Sequence, residues 1–157
     1  MEYWQDGRPN LSLSGHQTFE RDRQVPRINI DKVTPAPGTQ NYFVGDAKIR
    51  AVVNESVTKD VEVFLVTFEN GARTKVHYHE ADQILATAEG EGVLAVQTKV
   101  QLSEDGKAQV TFGDVQPLKK GDFACIPAFS WHWHGAKKGE NFSHYQIKRP
   151  CKTVWLE

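Results

Sequence analysis

The chain has 157 residues, 19 Lys+Arg against 20 Asp+Glu and a formal net charge of −1, the length of one domain that buries about two-thirds of its unfolded surface and needs no covalent staple. Balanced, interspersed charge excludes a basic face for nucleic acid or for an anionic membrane. No stretch approaches the ~18 consecutive apolar residues of a membrane span, so the expected partners are small molecules. The opening Met1-Glu2-Tyr3-Trp4-Gln5-Asp6 has neither a basic n-region nor an apolar run, which predicts a cytoplasmic protein. Cys125 and Cys151 make no disulfide framework, and Cys125, inside the apolar run 123–126, reads as a small buried hydrophobe.

Residues 1–40 are rich in Pro, Gly, Ser, Asn, Gln and charge, as in Asp6-Gly7-Arg8-Pro9-Asn10 and Thr34-Pro35-Ala36-Pro37-Gly38. They read as an N-terminal arm whose Tyr3, Trp4, Leu11, Leu13 and Phe19 either drape over the body or a neighbouring subunit or stay unstructured. His16 in the arm is expected to be solvated.

Residues 41–157 read as one all-β domain. Val61 to Phe68 is β-branched and aromatic and closes at the turn Glu69-Asn70-Gly71. Ile84 to Ala88 follows, then a turn at Glu89-Gly90-Glu91-Gly92 and a strand from Val93 to Leu102. Asp105-Gly106 suits a primed hairpin turn, returning through Ala108 to Phe112. After Lys120-Gly121-Asp122 comes the strand 123–126, and the last predicted strand is Phe142 to Ile147, before Pro150. Short strands every 8 to 12 residues, with no helical stretch of ten, indicate a sandwich or barrel.

Histidine carries the chemistry. Side chains alternate along a strand, so residues i and i+2 project from one face. His77-Tyr78-His79 is therefore a chelating pair, and His132-Trp133-His134 repeats the pattern. Imidazole suits Mn, Fe, Co, Ni, Cu or Zn and disfavours Ca or Mg. Tyr78, Glu80, Trp131 and Trp133, of opposite parity, are expected to face outward and pack. His134 is either a general base facing the cavity or a rim histidine bonded to backbone. His144 has the same two readings, with Gln146 at its parity.

The flanks add a family. Gly71, then five residues, then His77-Tyr78-His79, Gln83 and the Gly90-Glu91-Gly92 turn resembles the first cupin motif. Gly121 through Pro127 to His132 resembles the second. The resemblance spans about residues 61 to 147 and implies a single cupin barrel, a double-stranded β-helix or jelly roll, holding one divalent metal on His77, His79 and His132. Gln83 stands where glutamate is usual and becomes the fourth ligand, with Asp82 and Glu80 as alternatives. Three imidazoles and an amide leave the full +2 on the ion, making a strong Lewis acid. Phe129 stands where the second motif usually has glycine, so a reshaped turn and an aromatic ring near the cavity are expected.

The spacing also resembles that of small bacterial cupins that include manganese-dependent hydroxynitrile lyases, which implies His144 as catalytic acid or base and favours Mn or Fe. Three functions stay open: a metal-dependent lyase or isomerase, an Fe(II) dioxygenase, and a non-catalytic sugar- or small-ligand-binding cupin. Family members pair commonly, so a homodimer is expected.

Overall fold

A computed structural model describes residues 25–156. The arm residues Tyr3, Trp4, Leu11, Leu13, His16 and Phe19 lie outside the described part. The strands are β1 (Ala36–Pro37), β2 (Phe43–Val44), β3 (Ala47–Val53), β4 (Glu62–Phe68), β5 (Arg73–Thr74), β6 (His77–His79), β7 (Gln83–Leu102), β8 (Ala108–Phe112), β9 (Gln116–Lys119), β10 (Phe123–Ile126), β11 (His132–Ala136), β12 (Phe142–Lys148) and β13 (Thr153–Trp155). A 3-10 turn at Ile30–Lys32, capped by the Asn29 side chain, precedes β1. None of the described helices is long and apolar enough to cross a membrane.

Two antiparallel sheets face each other. The first runs β1-β3-β4-β12-β7-β10. In the second, β5 and β6 both lie along β11, β2 and β13 flank them, and β11 continues to β7 and β9. This is the single all-β jelly-roll barrel expected from the strand pattern. Between the sheets lie Phe43, Val66, Phe68, Leu85, Leu94, Leu118, Ile126 and Phe142, and each large side chain fully buried there stabilises the fold by about 1.5–3 kcal/mol. Phe68 is the hub, with its ring 6.1 Å from Phe43 and 6.2 Å from Phe142.

The turn after β4 is as expected. Asn70 (φ 48°) and Gly71 (φ 79°) both take left-handed backbone, and the Ala72 N–H donates to Glu69 O at 3.0 Å, an Asn-Gly primed turn that matches the strand twist.

Five expectations are corrected. The sequence 89–92 is no turn: β7 runs on through it for 20 residues, pairing with β12 before Gly90 and with β11 after it. Gly90, at φ 78°, makes the corner, and a Cβ there would strike the Asn141 carbonyl. The Asp105-Gly106 hairpin is not primed. Only Gly106 has positive φ, and the Gly106 N–H donates to Ser103 O while the Ser103 N–H donates to Lys107 O, a type I turn closed by a glycine bulge. Cys125 is exposed, because β10 turns it to the outer face beside exposed Phe123 and Ile84. Phe129 does not reshape its turn; its φ of 62° keeps the backbone a glycine would take. Its ring is 60% exposed and packs 5.9 Å from Tyr78, on the outside and away from the cavity. Finally, the chain does not finish its strands at β12. It returns as β13 along β6.

Candidate metal centre

β6 places His77 and His79 on its inner face, 2% and 5% exposed. β11 lies alongside, with His132 paired to His77 in register, so the two rings meet at 4.2 Å between centroids. His79 lies 4.9 Å from His77 and 5.6 Å from His132. Gln83, the first residue of β7, is completely buried. Two residues beyond His132 on the same face, His134 stacks at 5.8 Å, and behind it β12 supplies His144, whose Nε2 lies 3.1 Å from His134 Nδ1. Strand alternation thus gathers five of the six histidines into one buried cluster.

The outward side of the first three rings is fixed by the fold. His77 Nδ1 lies 2.9 Å from Lys75 O, His132 Nδ1 lies 2.8 Å from Ser130 O, and His79 Nδ1 lies 2.8 Å from Thr153 Oγ1. A carbonyl can only accept, so His77 and His132 carry their proton on Nδ1 and present a lone pair at Nε2. Holding the far nitrogen in this way is how proteins orient metal-ligating imidazoles. On the inner side, His79 Nε2, His132 Nε2, His134 Nε2 and both amide atoms of Gln83 are buried with no hydrogen-bond partner among the described residues. Buried polar atoms are rarely left so. An unsatisfied amide and converging imidazole lone pairs fit a borderline divalent cation, and this His-rich site can hold a metal ion. The ring nitrogens of His77, His132 and His134 lie within 4.8 Å of one another; that group takes in His134 and leaves out the expected ligand His79, which adjoins it with its ring 4.9 Å from His77 and 5.6 Å from His132.

Every imidazole in the cluster is neutral at pH 7. Burial, followed by the Lys148 and His132 charges, lowers His79 to about 3. Burial lowers His132 to about 4 against the Ser130 carbonyl, and His144 to about 4. His77 and His134 are pushed well below 6.5, by burial first and then by neighbouring imidazoles.

A cavity of about 180 Å³ opens beside these rings. His77, His79 and His134 line it, with Phe64, Val66 and Trp155. His144 and Gln83 stand behind this wall. Gln146 also lines the cavity and reaches Glu62 at 3.4 Å. The alternative ligands point elsewhere: Glu80 and Asp82 are exposed, and Asp82 accepts from the Ala128 N–H at 2.9 Å. Tyr78 packs edge-on to Trp131 at 4.7 Å, and Arg73 lies over Trp133 at 5.2 Å, so all three rings serve packing.

Three contributors had no place in the sequence reading. Thr153 holds His79, Trp155 stacks on His77 at 4.4 Å, and Lys148 is buried at the cavity wall against Glu62. The alternation Thr153-Val154-Trp155 is a weak strand signal that could have found the first two.

Residues 64–144, more than half of the chain, match the cupin domain family. The chain belongs to the cupins. A curated relative, the (R)-mandelonitrile lyase of Granulicella tundricola, is 29% identical over 123 residues, covering 76% of this chain and 83% of the relative. Among solved structures, a cupin-like protein of Thermotoga maritima is 31% identical with a TM-score of 0.61, over 77% of this cupin and 84% of the other. A predicted oxalate decarboxylase of the same organism shares the fold at 15% identity and a TM-score of 0.61, covering 79% and 98%.

Proposed function

We propose that this cupin is a metal-dependent small-molecule enzyme of lyase or isomerase type, with His77, His79, His132 and Gln83 holding one divalent transition metal, Mn or Fe by family resemblance. One observation carries the reading: three neighbouring imidazoles have their outer nitrogens committed to Lys75, Ser130 and Thr153, while the inner nitrogens of His79 and His132 and both amide atoms of Gln83 are buried without a partner among the described residues. A bound ion there supplies Lewis acidity, polarising a substrate oxygen.

The chain's own groups handle the proton. His134 lines the cavity, while His144 is fully buried behind it. If the His134 Nδ1–H donates to His144 Nε2 across their 3.1 Å contact, His134 Nε2 carries the lone pair and serves as general base. For a cyanohydrin, the hydroxyl proton passes to that nitrogen, the oxygen lone pair forms the carbonyl, the C–CN bond breaks and cyanide leaves to take up the proton. His144 positions His134 and shares its proton. The similarity to a mandelonitrile lyase supports this choice of substrate class.

The test is twofold. Elemental analysis of protein purified with Mn or Fe should find about one ion per chain, lost in His77→Ala/His132→Ala; full occupancy in that variant overturns the site. Cyanide release from (R)-mandelonitrile should fall with His134→Ala while metal content stays; release without metal dependence overturns the reaction.

A further inference from the structure

Five ion pairs join side chains of the described residues, and four lie on the surface. The fifth is different. Lys148 Nζ meets Glu62 Oε1 at 2.5 Å with side chains only 4% and 17% exposed, and both residues line the cavity beside the histidines. They are the only charged side chains on that wall among the described residues. A buried ion pair gives no reliable stability over an apolar pair of similar volume, and the layers next to it on the same two strands are apolar or amide, Phe64 opposite Gln146. The placement therefore asks for another reason.

We propose that Lys148 is the carboxylate-binding group of this cavity, held in place by Glu62, and that the small molecule taken up here carries a carboxylate. The inference rests on the metal-centred small-molecule site given above and not on the cyanohydrin as its substrate, since mandelonitrile carries no carboxylate. An ammonium has three N–H donors. Glu62 takes one and Cys151 Sγ, at 3.8 Å, a weak second, leaving a third for a ligand oxygen at a wall with no other cationic side chain among the described residues. Charge counting points the same way. Glu62 and Lys148 cancel, imidazole and amide are neutral ligands, and a divalent ion held by them would leave the enclosed space in need of an anion. Lys148 lines the same cavity wall as His77 and His79, so one small ligand can span from Lys148 to the histidine centre.

Calorimetric titration with the linear dicarboxylates from oxalate to glutarate, and with their neutral diamides, tests this on metal-free and Mn-loaded protein. At least one diacid should bind the wild type while its diamide does not. Lys148→Met should weaken that binding at least about tenfold. Glu62→Gln, which removes the internal competitor and keeps the shape, should tighten it. The opposite signs separate recognition from a merely structural pair, in which both variants would act alike. Glu62→Gln/Lys148→Met, without either charge, keeps the answer available if Lys148→Met alone does not fold, and it should bind as weakly. Diacid binding that is absent from the wild type and Glu62→Gln, or unchanged by loss of Lys148, overturns the proposal. Metal retention is scored separately, so loss of the metal reading would show as absent ion with the Lys148 dependence of the metal-free protein intact.

Discussion

The paired strands β4 and β12 present two chemically opposite ends of one interior. At one end Phe142 faces Phe68, both essentially unexposed; along the same inner face come His144 opposite Val66, Gln146 opposite Phe64, and Lys148 opposite Glu62. Six residues of chain lead from a dry aromatic plug through an imidazole to a buried ion pair. The difference teaches how a small barrel reconciles stability with chemistry: apolar burial at the closed end offsets the desolvation of imidazole, amide and charge toward the cavity. His134 and His144 sit at the boundary, with Phe68 5.9 Å and 5.8 Å from their rings.

Acid should expose the polar end most strongly. With folded values near 3 for His79 and near 4 for His132 and His144, the unfolded chain takes up protons below about 6.5 and the folded chain does not. Between those limits stability falls as pH falls, by up to ~1.4 kcal/mol per pH unit for each such histidine, and above pH 7 these groups contribute no slope. Urea unfolding of metal-free protein from pH 8 to 5 should show a plateau and then a steep decline. A flat profile to pH 5 would mean that the cluster is not the neutral, buried end described above.

The next largest effect belongs to the closed end. Phe68→Ala should cost about 3–5 kcal/mol, as large aromatic truncations in packed cores do, read as a lower urea midpoint. Variant protein that stays folded should still bind metal, and loss of metal without loss of stability would erase the distinction between the ends. Thr153→Val should do the reverse. Unfolding should hardly move, while metal affinity, measured by chelator competition, should drop about 10–100-fold because His79 loses the partner of its Nδ1. Thr153→Ser should restore it.

The smallest effect is expected at Phe129, on the outer surface. Relief of its left-handed backbone in Phe129→Gly should raise stability by about 1 kcal/mol without changing metal affinity. A loss of stability would show that the ring's packing on Tyr78 outweighs the strain.

The buried histidines were legible because strand alternation is a local rule: His77, His79, His132, His134 and His144 reach the interior by parity alone. The Asn70-Gly71 turn was legible for the same reason. Where long-range pairing decides, local signals failed. Two glycines and two glutamates at 89–92 have the composition of a turn, yet both halves of β7 are needed as partners by other strands, and the backbone turns a corner instead. Cys125 looked buried by its neighbours, but β10 shows that side chain to solvent. Lys148 resembles a solvated strand end, and only its register with Glu62, far away in the chain, takes it inside. Thr153 and Trp155 follow a proline that reads as an ending, and they matter only because β13 returns beside β6.

The unbroken run of β7 sets where this protein tolerates change in length. Five strands, β8 to β12, take their register from it. One residue inserted or deleted near Gly90 would invert the facing of every side chain on one side of the corner and turn Gln83 away from the histidines or the histidine-bearing β11 out of step. The Ser103–Lys107 hairpin bears no such duty, since only β8 depends on it. Length variation is accommodated there and excluded from the corner, making the tip of β8 the place to insert a tag or reporter without disturbing the centre.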